Sequence, residues 1–247
     1  MEQLNLPSVA NEEIIRTWQS TNYDLDSPLL TDDLSEVLNN FYNQNPQFLT
    51  NLVNDNDSGD DSWSYFSNYP FIKTFTGRKF NPTHPYKNAI VIEDIAHSLA
   101  MQCRFNGHCS KYFSVAQHSV MTSYVCNFED ALYGLLHDAS EAYLSDIPRP
   151  LKNSDEMESY RRLEASLQKM IFIKFGLKGE QPESVTKADN IMLSTEAHLL
   201  MPPPHECYNI EQPLLIKIEP LSPSESETLF MKRFNQLAIA KYNNCNG

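Results

Sequence analysis

The amino-acid sequence predicts an all-α fold, a helical bundle that follows an N-terminal extension. Apolar residues recur every three or four positions in most of the second half of the chain, which is the period of a helix with one buried face. Residues that start or stop helices bracket these stretches, and β-prone runs are short and few. The periodicity and the helix boundaries together favour helices over a sheet.

The N-terminal extension is assigned to residues 1–71. Residues 10–20 and 31–53 can each form helices. The apolar stripe of the second helix consists of Leu34, Val37, Leu38, Phe41 and Tyr42. Residues 54–64 are acidic and rich in turn formers, so they are predicted to form a linker or loop. Two interpretations are open for the extension: a lid or packing segment, and a partner-binding or oligomerisation segment.

Residues 72–247 are predicted to form the main helical domain. Its first part passes from a short β-prone run into a helix, with Glu93 or Asp94 near the positively polarised N-terminus. An amphipathic helix is expected over residues 156–175, ended by Gly176. Its apolar face consists of Met157, Tyr160, Leu163, Leu167, Met170 and Ile171.

The C-terminal part of this domain is predicted to contain a loop and a last helix. Residues 214–218, LLIKI, could form a lone short strand within the loop. The last helix begins with a capping box, in which Ser222 caps, Pro223 fits the first turn and Glu225 closes the box. The helix is expected to run to about Tyr242. Its core-facing residues are Leu229, Phe230, Phe234 and Leu237.

The run GLLHDASEAYLSDIPRPLK, residues 134–152, holds the densest group of candidate functional side chains. Apolar residues at helical spacing precede it, so His137 and Asp138 are predicted to lie well inside a helix. Glu141 follows four residues after His137 and therefore shares its face. The prolines after Asp146 are expected to stiffen a loop that carries Arg149 and Lys152.

Two further predicted helices carry partners for this pair. His118 lies in YFSVAQHSVMTSYV, whose residues Val115, Val120, Met121, Tyr124 and Val125 can form one apolar face. Asp189 lies in SVTKADNIMLSTEAHLLM, which also has helical periodicity. Imidazole nitrogens and carboxylate oxygens together suit manganese, cobalt, iron or zinc better than calcium or magnesium, which prefer oxygen alone. The pattern predicts a transition-metal site.

Four segments carry a resemblance to a known family. They are CRFNGH at 103–108, SVAQHS at 114–119, LLHDASEAYLSDIPRPLK at 135–152 and KAD at 187–189. Over roughly residues 72–200 the chain resembles the HD-domain metal-dependent phosphohydrolases. Within them it is most similar to the HD-type 5′-deoxynucleotidases and related phage-encoded nucleotide phosphohydrolases. The resemblance implies an HD-domain helical bundle.

The resemblance also implies roles for individual residues. The four ligands of one divalent transition metal would be His118, His137, Asp138 and Asp189. Glu141 would lie beside the attacking water as a catalytic residue, and Arg104 would bind phosphate. Asp146 would face the substrate sugar and contribute to catalysis or binding. Phe105 occupies a substrate-binding position where the deoxynucleotidase branch can carry Trp to exclude a ribose 2′-hydroxyl, so the chain departs from the branch there.

The expected function is metal-dependent hydrolysis of a small-molecule nucleotide at its 5′-phosphate, foremost of a deoxynucleoside 5′-monophosphate. Three alternatives stay open: a deoxynucleoside triphosphate triphosphohydrolase, a cyclic or oligonucleotide phosphodiesterase, and a nucleotide-binding regulatory protein without chemistry. Individual residues also have plainer interpretations. Arg104 or Glu141 could be a surface charge, Asp146 a turn residue, and Glu196 either a partner of the ligands or a solvated charge.

Composition limits the classes of partner. With 32 acidic and 19 basic residues the net charge is −13, which argues against binding duplex nucleic acid through a basic face. The five cysteines form no CxxC pair, which indicates reduced thiols and a cytoplasmic location. No apolar run approaches 18 residues and no signal peptide is recognisable, so membrane insertion and export are not expected. A homo-oligomer is expected from the resemblance alone.

Overall fold

The computed structural model of the chain describes residues 70–246, with side chains as far as Ala240. The two helices and the acidic loop predicted for the N-terminal extension lie outside these residues. The division of the chain into residues 1–71 and 72–247 therefore stays a prediction.

The described part of the chain is mostly helical, and the all-α prediction is confirmed. Its eight α-helices are α1 (Ile92–Met101), α2 (Val115–Val125), α3 (Ala131–Leu136), α4 (Glu141–Leu144), α5 (Arg149–Lys152), α6 (Glu158–Lys174), α7 (Glu183–Leu200) and α8 (Pro223–Asn246). The strands within residues 70–246 are β1 (Ile72–Lys73) and β2 (Lys79–Phe80), which form an antiparallel hairpin. None of the helices in this range is long and apolar enough to cross a membrane.

Helix α2 lies at the centre of the bundle and packs against α1, α3, α7 and α8. The prediction of a single apolar face on α2 is wrong, because every residue from Val115 to Ser123 is buried. Polar side chains on such a helix must find partners inside the protein. Gln117, for example, donates to the Glu219 carbonyl at 2.8 Å and accepts from the Leu221 amide at 3.0 Å. The same burial places His118 in the middle of the fold.

The chain around the His-Asp pair departs from the predicted continuous helix. Helix α3 ends at Leu136, a turn covers residues 137–140, and α4 begins at Glu141. In this turn, backbone hydrogen bonds join residues three positions apart, as in a 3₁₀-helix. The Glu141 amide, for example, donates to the Asp138 carbonyl at 2.9 Å. Gln168 of α6 bridges the break, because its side chain donates to the Leu136 carbonyl at 2.6 Å and accepts from the Ser140 amide at 2.9 Å.

The segment after α4 also differs from its prediction. Instead of a stiff loop, residues Arg149–Lys152 form the short helix α5, with Pro150 in its first turn. A proline fits there because the amide at that position needs no partner within the helix. Ser145, with a φ of 72°, ends α4 and redirects the chain toward α5.

The other sequence expectations have mixed outcomes. Helix α6 is confirmed and ends before Gly176, which has a φ of 70°. The capping box of α8 is present, since the Ser222 amide donates to the Glu225 carboxylate at 2.8 Å and the Glu225 amide donates back to Ser222 at 3.3 Å. Residues 214–218 form no strand, so that expectation is wrong. Instead, the Leu214 amide donates a hydrogen bond to the Thr195 hydroxyl of α7 at 2.9 Å.

Candidate metal centre

Three of the four predicted ligands meet between α2, the end of α3, and α7. His118, His137 and Asp189 offer ligand atoms that all lie within 4.8 Å of one another. The two histidine Nε2 atoms are 3.3 Å apart. Asp189 Oδ1 lies 3.2 Å from Nε2 of His118 and 3.8 Å from Nε2 of His137. Three side chains from distant parts of the sequence therefore converge on one small space.

Hydrogen bonds orient both imidazoles. Nδ1 of His137 lies 2.8 Å from the Gly134 carbonyl, and Nδ1 of His118 lies 2.7 Å from Glu196 Oε1. Because a carbonyl and a carboxylate can only accept, each Nδ1 carries the proton, and a neutral imidazole then presents a lone pair at Nε2. Two lone pairs facing each other at this distance repel unless a cation or a proton lies between them. The arrangement fits a shared cation.

The fourth predicted ligand, Asp138, lies beside this group. Its Oδ2 is 3.2 Å from Nε2 of His137 and 3.6 Å from Nε2 of His118. The same oxygen lies 3.7 Å from Arg104 Nη1, so the carboxylate also faces a cationic side chain. Two imidazole nitrogens with carboxylate oxygens form the mixed donor set that suits borderline divalent metals. The residues present therefore fit such a metal.

Burial and close charges shift the pKa values of these groups. Burial opposes protonation of His137, but the neighbouring Asp138 and Asp189 outweigh it and hold the imidazole pKa well above its usual value. Burial and Arg104 likewise oppose protonation of His118, yet Glu196 and Asp189 raise its pKa. The pKa of Asp189 lies well below its usual range, since the hydrogen bonds from the two histidines outweigh burial. A metal ion therefore has to compete with protons for this site.

Arg104 lies against the ligands and is buried, which rules out the interpretation as a solvated surface charge. Its Nε donates to Glu196 Oε2 at 3.0 Å. Burial lowers the pKa of this guanidinium and the surrounding carboxylates, led by Glu196, raise it, with a net increase. The side chain is thus a permanently charged group held inside the protein, next to the candidate metal ligands.

A left-handed turn follows Arg104. Phe105 and Asn106 have φ values of 54° and 53°, and Gly107 has a φ of 75°. For a residue as bulky as Phe105 this conformation costs about 1–3 kcal/mol, and such strain often occurs at functional sites. The Arg104 amide, which donates to the Phe113 carbonyl at 2.8 Å, anchors the turn. The Phe105 ring is half-buried and meets Tyr208 edge to face, with 5.7 Å between centroids.

Glu141 is buried, so the interpretation as a surface charge on a helix is also excluded. Its Oε1 lies 3.2 Å from Lys152 Nζ, whereas its Oε2 is buried without a hydrogen-bond partner. Burial, together with the charges of Asp138 and Asp146, raises the pKa of Glu141 well above its usual value despite Lys152. A buried oxygen without a partner is uncommon and often marks a functional site.

Asp146 and the two basic residues of α5 lie near the same group. The Asp146 carboxylate is half-buried and close enough to raise the pKa values of Arg104 and Glu141. Arg149 Nη2 lies 3.4 Å from Asp189 Oδ2, and its side chain is 45% exposed. Lys152 joins Glu141 to Glu164, the latter at 2.8 Å. The structure thus brings every predicted site residue except Phe105 into one network, and Phe105 lies next to Arg104.

Two residues of this network, Gln102 and Gln168, were not identified from the sequence, and the role of Glu196 was left open. Gln102 donates to the Glu141 carbonyl at 3.0 Å and accepts from the Asp146 amide at 3.0 Å, so it holds α4 and the following loop. Gln168 bridges the break between α3 and α4. Neither glutamine has a sequence signal, because a single glutamine within a helix or just after one is ordinary. Glu196, with its fully buried side chain, is a partner of the ligands and not a solvated charge.

Comparison with known proteins places the chain among close relatives. It is 40% identical over 172 residues to the uncharacterized protein YfdR of Escherichia coli strain K12, an alignment that covers 68% of this chain and 96% of YfdR. It is also 31% identical over 125 residues to an uncharacterized protein of Rhodobacter capsulatus, covering 47% of this chain and 63% of that relative. No family model matches the chain. The identity and coverage with YfdR show that the chain belongs to the same protein family as YfdR.

Proposed function

We propose that the chain is an HD-domain phosphohydrolase that uses one divalent transition metal, manganese, cobalt, iron or zinc, to hydrolyse a nucleotide at its 5′-phosphate. A deoxynucleoside 5′-monophosphate is the foremost substrate. The observation that carries the proposal is the pair of histidine Nε2 atoms 3.3 Å apart, each with its Nδ1 bonded to an acceptor. Carboxylate oxygens of Asp138 and Asp189 lie within 4 Å of both.

His118, His137, Asp138 and Asp189 would hold the metal. When bound, the ion would polarise a phosphoryl oxygen and lower the pKa of a water molecule to about 7. Phosphoryl transfer needs little more from the protein than in-line placement and neutralisation of charge. Both needs are met by side chains around the ligands.

Arg104 supports the neutralisation of charge on the phosphate. Its Nε is occupied by Glu196, which leaves the Nη atoms as donors for two phosphate oxygens. Glu141 supports proton transfer, because its Oε2 has no protein partner and is free to bind the attacking water or the leaving 5′-oxygen. Lys152 fixes the other oxygen of the same carboxylate, which holds Glu141 in one orientation.

Asp146 and Phe105 are the residues we assign to substrate choice. Asp146 borders both Arg104 and Glu141 electrostatically, which suits a carboxylate that accepts a sugar hydroxyl. The Phe105 ring lies beside the Arg104 guanidinium, with 5.6 Å between the guanidinium carbon and the ring centroid, and can limit the space next to a bound phosphate. The foremost binding partner is therefore a small nucleotide. A homo-oligomeric state and a cytoplasmic location stay predictions.

One observation favours a second candidate, a deoxynucleoside triphosphate triphosphohydrolase. The exposed guanidinium of Arg149 lies 3.4 Å from Asp189, which is the proposed metal ligand that faces the two histidines. A triphosphate carries more negative charge than a monophosphate and would extend farther from the reacting phosphorus. Arg149 could bind that additional charge.

A metal analysis followed by a product assay tests the proposal. The purified protein is expected to retain a transition metal, and with manganese or cobalt it should release free phosphate from deoxynucleoside monophosphates. Release of intact triphosphate from triphosphates would select the second candidate instead. Protein that binds neither manganese, cobalt, iron nor zinc, and that hydrolyses no nucleotide, would overturn both.

Arg149→Ala separates the two candidates further. If the triphosphate is the substrate, loss of a charged contact should raise its KM about tenfold, with a smaller change for the monophosphate. Arg162→Ala is the matched control, since this exposed arginine forms an ion pair with Glu158 at 3.0 Å on the outside of α6. Equal effects of the two variants would remove the argument for Arg149.

A further inference from the structure

Glu196 joins two functional groups that come from different parts of the chain. It follows Asp189 by seven residues on α7 and therefore lies on the same helix face, two turns farther along. Its side chain is fully buried. Oε1 lies 2.7 Å from His118 Nδ1, and Oε2 accepts from Arg104 Nε at 3.0 Å. Each oxygen of one carboxylate thus serves a different residue of the candidate centre.

Each of these two bonds constrains its partner. The bond to His118 keeps the proton on Nδ1, so that Nε2 is left to face Asp189 and His137. The bond to Arg104 fixes the guanidinium plane by its Nε, so that the two Nη groups stay available and one of them lies 3.7 Å from Asp138. Loss of the carboxylate would therefore disturb a metal ligand and an anion-binding group at the same time.

We propose that Glu196 is a positioning residue that couples metal binding to phosphate binding in this protein. The inference rests on the proposed function and deepens it. Binding energy gained by one partner is transmitted to the other because both are attached to one rigid carboxylate. Glu196 touches neither the phosphate nor the metal in this account and acts only through His118 and Arg104.

Glutamine at position 196 tests the carboxylate separately from the volume of the side chain. Glu196→Gln keeps the volume of the side chain but has a single acceptor oxygen, while both partners present N–H donors. One donor must then face the amide NH₂ group. We expect the manganese affinity of the apoprotein, measured by competition with a chelator, to fall about 10–100-fold. Affinity for inorganic phosphate, measured by calorimetry at saturating manganese, should fall about tenfold.

A second histidine and glutamate pair provides the matched control. His97 Nδ1 lies 2.9 Å from Glu227 Oε2, between α1 and α8, with each side chain about 30% exposed. Glu227→Gln removes the charge from a histidine–carboxylate bond of similar length that is unrelated to the ligands. It should leave the affinities for manganese and phosphate unchanged. A general effect of removing the charge of a histidine-bonded carboxylate would instead appear in both variants.

A double variant excludes a purely structural role, in which Glu196 only neutralises the buried charge of Arg104. Replacing a buried ion pair by apolar residues is often neutral for stability. In Arg104→Leu with Glu196→Leu, the structural role predicts that manganese affinity returns to the wild-type value. Positioning predicts that it stays low, because His118 Nδ1 has no acceptor. Wild-type manganese affinity in the double variant or in Glu196→Gln would overturn the inference.

Arg104→Lys keeps the experiment decisive even if the Glu196 variants do not fold. Lysine retains the charge but loses the Nε donor, so coupling predicts lower manganese affinity as well as weaker phosphate binding. Unchanged manganese affinity in this variant would count against coupling. Failure of the inference is distinguishable from failure of the proposed function, because the latter requires that the wild-type protein itself binds no transition metal and hydrolyses no nucleotide.

Discussion

The two sides of the candidate centre are built in different ways. On one side, His118 and Asp189 lie inside α2 and α7, helices of 11 and 18 residues whose packing forms the core. On the other side, Glu141 and Lys152 lie in α4 and α5, helices of four residues each. Helices that short are not stable by their own hydrogen bonds, so contacts from other elements must hold them.

Tyr143 of α4 packs into the core, and hydrogen bonds from single side chains add further contacts. Gln102 bonds the backbone of residues 141 and 146, Ser98 donates to the Ala142 carbonyl at 2.9 Å, and Tyr160 donates to the Ser145 carbonyl at 3.1 Å. Core packing of two long helices therefore places His118 and Asp189, whereas the placement of Glu141 and Asp146 also depends on a few hydrogen bonds. We expect variants on the two sides to differ in metal content, in turnover and in stability.

The largest effect is expected from loss of a proposed metal ligand. His137→Ala removes one of the two imidazole ligands, so the purified protein should lose its metal and all measurable turnover. Metal content by mass spectrometry and phosphate release check this outcome. His97→Ala, which removes an imidazole outside the centre, should retain both. A His137→Ala protein with full metal content would contradict the assignment of the ligand set.

Glu141→Gln should keep the metal and lose about 10²–10⁴-fold in kcat, because the group that we propose to transfer protons is removed while the proposed ligands stay in place. The control is Glu164→Gln, since Glu164 contacts the same Lys152 Nζ at 2.8 Å but belongs to α6. Turnover and metal content are measured for both. Comparable kcat values in Glu141→Gln and Glu164→Gln would sink the role of Glu141.

Gly134→Ala probes the packing that sets the distance between the two histidines. A Cβ at Gly134 would lie 2.8 Å from Cys126 Sγ and 3.0 Å from Ser123 Cα, so α3 would have to move away from α2. We expect a loss of about 1–3 kcal/mol in the free energy of unfolding, together with weaker metal binding. Denaturant unfolding and metal titration measure the two effects.

Gly179→Ala is the control for this substitution, because the three atoms nearest to its Cβ all belong to the flexible side chain of Lys169. Little change in stability is expected there. If Gly134→Ala unfolds at the same denaturant concentration as the wild type, close packing of α2 against α3 does not determine the site.

The smallest effect is expected from Gln102→Leu. This change removes the bonds to the backbone of Glu141 and Asp146 without altering a ligand, so kcat/KM should fall about tenfold at unchanged metal content. Gln181→Leu, in an exposed residue that bonds only Thr186, serves as the control. A loss of metal in Gln102→Leu would show that the two sides of the centre are not separable as argued.

Much of the fold followed from local sequence. The capping box at Ser222, the stop at Gly176, the apolar stripe of α8 and the C-terminal half of the α6 stripe are properties of neighbouring residues, and the structure confirms them. The candidate ligands were also recognisable, because the types and order of their side chains already indicate the chemistry. The break after Leu136 and the helix at 149–152 were not recognisable from the sequence, since both depend on hydrogen bonds from elements far away in sequence.

The sequence by itself determined where the long helices form and which side chains have the chemistry to bind a metal or carry a proton, because helix propensity and ligand chemistry are local. Only the tertiary structure decided that Glu196 is buried between His118 and Arg104, that Gln102 and Gln168 hold the short helices, and that Glu141 Oε2 lacks a partner. These features depend on distances across the bundle. Burial and long-range hydrogen bonding are set by packing of the whole chain, and no single segment encodes them.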